Sequence, residues 1–242
     1  MQFLDTFLFI SLPYIAIVVF LVGTIYRYKS TSFKYSSLSS GFLEKRTLFW
    51  GSMPFHWGIL VLFIGHLLAF LVPGAVLAWN GDPVRLLIQE MTAFAFGLSV
   101  LWGLSMLTFR RFSSPRIRSV TNPMDAVILT LLIAQTLLGL WTAYNYRWGS
   151  SWFASTATPY LRSILVFQPD PAAIYSLPWS IKLHIVGGYL IVLLIPFTRL
   201  VHLLVVPFHY LWRPYQRVIW NWKRRAVRDQ HTDWTTTRPK NT

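Results

Sequence analysis

Five long runs of apolar residues alternate with short polar connections along the chain. They cover about 6–26, 49–72, 88–109, 124–145 and 183–206. Each run reaches the roughly 20 residues that a helix needs to cross a bilayer, where backbone polar groups must pair within the segment. The pattern predicts an all-α integral membrane protein: a bundle of five transmembrane helices over residues 1–206 and a basic aromatic tail over 207–242. The first run lacks the flanks of a cleaved signal, so we expect it to be retained.

Composition supports this class. Hydrophobic residues make up 54% of the 242-residue chain and charged residues 12%, which leaves too little polar surface for a soluble globule of this size. The formal net charge of +14 raises the question of nucleic-acid binding. The basic residues, however, flank the apolar runs instead of forming one stripe, so we expect no nucleic-acid partner.

The basic residues also predict the topology. They concentrate after the first, third and fifth runs, whereas the other two connections are poor in them. By the positive-inside rule, the N-terminus lies outside and the C-terminus is cytoplasmic. The tail suits contact with membrane lipid or with a docked protein partner. The basic residues of the first two inner connections are Arg27, Lys29, Lys34, Lys45, Arg46, Arg110, Arg111, Arg116 and Arg118.

The connection over about 146–182 is the longest on the outer side, and connections of that length are often functional. Thr158 followed by Pro159 resembles a helix start, and the proline-rich stretch from Gln168 resembles a stop. The sequence therefore predicts a short surface helix from Pro159 to Phe167.

Four of the six histidines lie inside predicted spans, where ionisable residues are costly and usually functional. His56 and His66 belong to the second span, and His184 and His202 to the fifth. Because these spans run in opposite directions, His66 and His184 share the outer depth and His56 and His202 the inner depth. We call them the outer pair and the inner pair. The two histidines of the second helix are about 15 Å apart along its axis, and those of the fifth are about 27 Å apart. Tilt of the helices must absorb this difference.

Haem is the cofactor that suits two such pairs. The chain has no cysteine, which excludes Cys-ligated clusters and covalently attached haem. Two imidazoles on one haem leave no open coordination position, which favours electron transfer. Pro196 is expected to kink the fifth helix between its histidines. Four glycines near the ligands would either admit a flat macrocycle or pack helices together: Gly58, Gly65, Gly187 and Gly188.

Arginines near the inner surface are candidate partners for the haem propionates. Arg199 lies one turn before His202, and a charge at that depth needs a counter-charge, which a propionate would supply. Arg111, Arg116 and Arg118 are candidates of the same kind, although they also serve as topology determinants.

Three segments carry a family resemblance: FHWGILVLFIGHLLAFLVP, RRFSSPRIRSVTNPMDAVILTLLIAQTLLGLWT and KLHIVGGYLIVLLIPFTRLVHLLVVPFHYL. Together they resemble the gamma subunit of respiratory nitrate reductase, through about residue 216. The resemblance implies two haem b groups, the outer held by His66 and His184 and the inner by His56 and His202. It also implies a multi-pass protein of the inner (cytoplasmic) cell membrane.

The resemblance further implies the quinol-oxidising half-reaction of a quinol:nitrate oxidoreductase. Electrons would pass inward to an iron–sulfur beta subunit and then to a molybdenum-containing alpha subunit. The family has a lysine before the third helix that is associated with quinol binding, but here that region reads AWNGDPVRLLIQEMTAF. The quinol-site candidates are then Arg85 and His66.

Three alternatives stay open. The first, second to the nitrate reductase reading, is a similar cytochrome b anchor of another terminal reductase, such as a heterodisulfide or sulfite reductase. Membrane histidines also serve proton channels and transporters as relays. Finally, histidines in a purely structural anchor only link helices by hydrogen bonds.

Overall fold

The structure, a computed structural model, describes residues 2–30, 40–41 and 43–205. This part of the chain is helical and contains no strand. Five of its helices are long and apolar enough to cross a membrane, which confirms the number predicted. The predicted tail, 207–242, lies outside the described residues. We label the long helices α1 (Phe3–Ser30), α2 (Arg46–Leu71), α3 (Pro83–Ser113), α4 (Pro123–Asn145) and α5 (Trp179–Leu194).

Proline and a capping side chain define the starts of α3 and α4. Asp82 accepts hydrogen bonds from the N–H groups of Val84 and Arg85, at 2.9 and 3.1 Å. Asn122 and Asp125 form a capping box, in which each side chain accepts from the backbone N–H of the other. Each cap is followed by a proline, whose missing N–H has no partner in a first helical turn anyway.

Glycines bring α2 and α3 into close contact. A Cβ on Gly103 would lie 2.6 Å from both the Gly51 carbonyl oxygen and the Phe55 nitrogen. A Cβ on Gly58 would lie 2.9 Å from the Phe96 carbonyl oxygen. The two backbones therefore touch directly, and this contact positions α2, which carries one histidine of each pair.

The long outer connection does contain the predicted short helix, which runs over Thr158–Leu165. It continues a helical stretch that begins at Gly149 and includes a π-helical turn, Phe153–Ala157. The helix has an exposed face, which includes Pro159 and Arg162, and a buried face that packs against the bundle. From this face, Tyr160 and Ile164 form a buried cluster with Phe9 of α1 and Ile174 of the outer connection.

Tyr160 ties this connection to the bundle. Its hydroxyl donates to the Phe9 carbonyl oxygen at 2.7 Å and accepts from the Tyr189 hydroxyl at 3.0 Å. Burial raises the pKa of Tyr160 to about 12, although the hydrogen bond from Tyr189 opposes the shift. The hydroxyl therefore stays protonated and remains a donor at neutral pH.

The predicted continuous helix over 183–206 was wrong, because α5 ends at Leu194. A 3₁₀ turn, Ile195–Phe197, follows, then an extended Thr198, and then a second 3₁₀ segment, Arg199–Val205. Pro196 lies at this break, where it cannot donate a backbone hydrogen bond and crowds the preceding turn. The expected kink is therefore a full interruption, and rise and rotation along an ideal helix do not relate His184 to His202.

The carbonyl groups at the break are paired by a side chain from α1. Arg27 donates to the carbonyl oxygens of Pro196 and Thr198, at 2.6 and 2.9 Å. The close approach is possible because Gly23 packs on the Pro196 ring, where a Cβ would lie 2.9 Å from Cγ. The interrupted backbone thus keeps its hydrogen bonds within the bundle, as a low-dielectric surrounding requires.

Candidate functional site

The inner pair comes together in the structure. The ring centres of His56, on α2, and His202, in the 3₁₀ segment, lie 6.1 Å apart, with their planes at 61°. Metal–imidazole bonds of about 2.0 Å place the centres of two rings on opposite sides of one metal about 6 Å apart. The separation of the two rings therefore matches that of two axial ligands.

The outer pair lies on α2 and α5, and contacts with other elements place each ring. His66 lies close enough to His184 to interact with it electrostatically. The His184 ring packs on Gly139 of α4, where a Cβ would lie 3.0 Å from its Cε1. The His66 ring contacts Phe153 of the π-helical turn edge-on, with centres 5.2 Å apart. The outer connection thus reaches the outer pair, which sequence reasoning had missed.

All four histidines use Nδ1 in a hydrogen bond with a backbone carbonyl oxygen. Since a carbonyl only accepts, Nδ1 carries the proton, and a neutral ring then keeps its lone pair on Nε2. No hydrogen bond engages these Nε2 atoms within the described residues. The bonds join His56 to Ser52 (2.7 Å), His66 to Leu62 (2.8 Å), His184 to Gln135 (3.1 Å) and His202 to Arg199 (2.6 Å).

The four glycines expected beside the ligands divide into two kinds. A Cβ on Gly65 or Gly188 would meet nothing within 4 Å, so open space adjoins the outer pair there. Gly58 and Gly187 instead make close helix contacts, Gly187 against the Gln135 side chain. Of these four glycines, Gly65 and Gly188 are the two without a close neighbour.

The donor set fits haem better than a free metal ion. Among the described residues, no three His, Asp or Glu side chains gather into a group that could hold a metal ion. Each histidine pair supplies two ligands, whereas a tightly held ion usually takes three or four from the protein. Haem brings four ring nitrogens of its own and asks only for axial ligands, which the two pairs offer.

A buried carboxylate beside the inner pair was missed in the sequence. Asp125 is 3% exposed and binds Arg199 (Nε to Oδ1, 2.6 Å) and Arg111 (Nη1 to Oδ2, 2.8 Å). The counter-charge required by Arg199 therefore includes a protein carboxylate. Propionate contacts of Arg111, Arg118 and Arg199 stay predictions, and Arg118 is exposed at the end of the short helix Pro115–Arg118.

A separate ion pair links the first inner connection to the last turn of α3. Arg110 is 4% exposed and binds Glu44 at 2.7 Å. Partial burial raises the pKa of Glu44, but hydrogen bonds from the N–H groups of Thr47 and Leu48 and from Arg110 outweigh it and hold that pKa below its usual 4.5. Glu44 is therefore ionised at neutral pH.

Arg85, the basic quinol-site candidate, lies in the first turn of α3. Its guanidinium stacks over the Trp79 ring at 5.0 Å, and its side chain is exposed. Another outer arginine, Arg162, donates to the carbonyl oxygens of Phe70 and Leu71 at the end of α2. A role for Arg85 in quinol binding stays a prediction.

Comparison with known proteins identifies the family. A model of the nitrate reductase gamma subunit family matches residues 5–221. The chain belongs to the nitrate reductase gamma subunit family. The resemblance predicted from three segments is thereby confirmed and extends over most of the chain.

Gamma chains from two bacteria are similar to this family member over nearly their whole length. The nitrate reductase gamma chain of Bacillus subtilis (strain 168) is 37% identical over 207 residues, covering 84% of this chain and 93% of that protein. The respiratory nitrate reductase 1 gamma chain of Escherichia coli (strain K12) is 36% identical over 226 residues, covering 90% and 98%. These relatives are subunits of an oxidoreductase complex.

A more distant relative belongs to a different enzyme. The Hdr-like menaquinol oxidoreductase cytochrome b-like subunit of Archaeoglobus profundus is 26% identical over 197 residues, covering 76% of this chain and 54% of that protein. Together with the five long apolar helices, membership of the gamma subunit family makes this chain a multi-pass membrane protein.

Proposed function

We propose that this chain is the dihaem cytochrome b subunit of a respiratory nitrate reductase. It oxidises quinol near the outer face and passes electrons through the outer and then the inner haem. The receivers are an iron–sulfur beta subunit and a molybdenum-containing alpha subunit on the cytoplasmic side. The observation that carries the proposal is the inner pair, with ring centres 6.1 Å apart and both Nδ1 atoms bonded to carbonyl groups.

The residues of the chain define the chemistry of each site. When bound, haem supplies reversible one-electron chemistry at its iron. His56 and His202 would hold the inner group, and His66 and His184 would hold the outer one, so that the chain would supply two ligands to each. The carbonyl groups on Nδ1 fix ring orientation and make each imidazole a more basic ligand. Both sites would therefore serve electron transfer and not substrate binding.

Charge supports the direction of transfer. The inner pair lies toward the end of the bundle that carries Arg110, Arg111 and the arginines following α3, which the positive-inside rule assigns to the cytoplasm. The N-terminus then lies outside, the C-terminus lies in the cytoplasm, and the protein resides in the inner cell membrane. Quinol oxidised at the opposite end releases its protons outside, with His66 and Arg85 as the candidate contacts.

A second candidate is the equivalent subunit of another quinol-linked terminal reductase. The Archaeoglobus relative, a cytochrome b-like subunit of a menaquinol oxidoreductase, favours keeping it. The two candidates differ in their partners. Copurification of a molybdenum subunit supports nitrate reductase, and copurification of a heterodisulfide-reductase-type subunit supports the second.

Single histidine substitutions test the ligand assignment. His66→Ala should reduce haem b from two to one per chain and abolish quinol oxidation, because the outer group loses one axial ligand. His56→Ala should remove the other haem and leave the outer spectrum unchanged. His231→Ala, outside the five spans, is the control and should keep both groups. Two haems in His66→Ala would contradict the assignment and favour the relay or anchor alternatives.

A further inference from the structure

The carboxylate of Asp125 connects three elements at the inner end of the bundle. It lies in the first turn of α4, where Oδ2 accepts from the Asn122 N–H at 3.1 Å. It also binds Arg111 of α3 and Arg199 of the 3₁₀ segment. An ionised carboxylate that is 3% exposed is stable only when it is paired and hydrogen-bonded, and these contacts meet both conditions.

Arg199 links Asp125 to His202 through hydrogen bonds. Its guanidinium binds both Asp125 oxygens, Nε to Oδ1 at 2.6 Å and Nη2 to Oδ2 at 3.0 Å. Its backbone carbonyl oxygen accepts from His202 Nδ1 at 2.6 Å. One residue thus holds the imidazole by its main chain and is itself held by Asp125. A two-pronged bond of this kind fixes the direction of the arginine as well as its charge.

The interruption of α5 explains why His202 needs this contact. His184 lies within a regular helix, whose own hydrogen bonds fix its backbone. His202 follows an extended residue, Thr198, in a 3₁₀ segment, so the α-helical ladder does not carry its position. The ion pair between Asp125 and Arg199 therefore fixes the backbone next to His202, which a regular helix would otherwise do.

We propose that Asp125 is a positioning residue for the inner haem. By holding Arg199, it holds the His202 imidazole opposite His56 at the separation that two axial ligands require. The inference rests on the proposed function, since it presumes that His202 is a ligand. Asp125 contacts neither His56 nor His202, yet through Arg199 it determines the orientation of His202.

The test compares the Asp125–Arg199 and Glu44–Arg110 ion pairs in the purified complex. Asp125→Asn keeps the size of the side chain and an oxygen for the Asn122 N–H but removes the charge that holds Arg199. Glu44→Gln is the matched control, because it weakens the Arg110 pair, whose contacts lie among residues 40–48. The measurements are haem b per chain and the low-temperature EPR signal of each ferric haem, assigned with His66→Ala.

We expect Asp125→Asn to weaken retention of the inner haem on the order of 10- to 100-fold, or to shift its EPR signal. Loss of a contact that orients a ligand lowers metal affinity by about this factor. The outer signal should be unchanged, and Glu44→Gln should keep both. If Asp125→Asn does not accumulate, Arg199→Lys replaces it, since lysine keeps the charge but loses the two-pronged bond. The same shift of the inner signal is expected.

An unchanged inner signal in Asp125→Asn, or in Arg199→Lys where that variant replaces it, would overturn the inference. So would equal changes in both signals, or the same change in Glu44→Gln, because either would mean general destabilisation. A wild-type complex without two haem signals would instead overturn the proposed function. The two failures are therefore distinguishable.

Discussion

Gly103→Ala should disturb the haem sites from a distance, because Gly103 lies where α2 and α3 touch. The added Cβ would lie 2.6 Å from two backbone atoms of α2, about 0.8 Å short of the 3.4 Å at which ordinary van der Waals contact begins. Backbone atoms cannot rotate away as a side chain can, so α2 and α3 must move apart. Overpacking of this kind costs about 1–3 kcal/mol.

The displacement reaches both histidine pairs, since α2 carries His56 and His66. Metal–ligand distances tolerate changes of only about 0.2 Å, so a shift of several tenths of an ångström should loosen one axial bond at each site. We expect a lower temperature of thermal unfolding in detergent, followed by circular dichroism, and less haem per chain.

Gly74→Ala is the matched control for this prediction. Gly74 is also helical, in the short helix Pro73–Asn80, but a Cβ there would meet nothing within 4 Å. Replacing it with alanine should leave stability unchanged or raise it by up to about 1 kcal/mol, through helix propensity. Equal stabilities for wild type and Gly103→Ala, or equal losses for the two variants, would refute the reasoning.

Three further perturbations address other contacts. Arg27→Met should cost about 1–3 kcal/mol per carbonyl group left unpaired at the α5 break, measured by thermal unfolding. Tyr160→Phe should cost about 1 kcal/mol through the lost bond to the Phe9 carbonyl oxygen, again measured by thermal unfolding. The stability that Glu44 contributes through Arg110 should be complete above pH 4.5 and lost as pH falls through its lowered pKa, measured as the difference between wild type and Glu44→Gln.

Each of these has a result that would contradict it. Wild-type stability in Arg27→Met would mean that water or other groups satisfy the carbonyl groups at the break. Tyr144→Phe, at a residue 74% exposed, should have no effect, so an equal loss there would discredit the Tyr160 result. A wild-type advantage over Glu44→Gln that persists at low pH would mean that the carboxylate charge does not stabilise the fold.

Hydropathy and charge predicted the five spans because a bilayer imposes one length and one backbone solution on each crossing. The histidine pairs followed from the same constraint, since alternating directions assign a depth to every residue. Only the order of the spans enters this assignment of depth. The break in the fifth span therefore does not change which histidines are paired.

The features that sequence reasoning missed depend on tertiary contacts. Proline is tolerated inside membrane helices when neighbouring groups pair the freed carbonyls, so Pro196 alone could not distinguish a kink from a complete break. The pairing group, Arg27, is distant in sequence. Asp125 carried one local signal, the capping box with Asn122, but its partner Arg199 follows 74 residues later. The buried face of the outer connection likewise appears only once α1 and α5 pack against it.

The most direct test of the dihaem proposal is a reduced-minus-oxidised visible spectrum of the purified protein, with a pyridine-haemochrome assay of haem type and number. We expect two haem b per chain. One haem would mean that one histidine pair is not a ligand pair. A correctly folded protein, made with sufficient haem, that contained none would contradict the central claim.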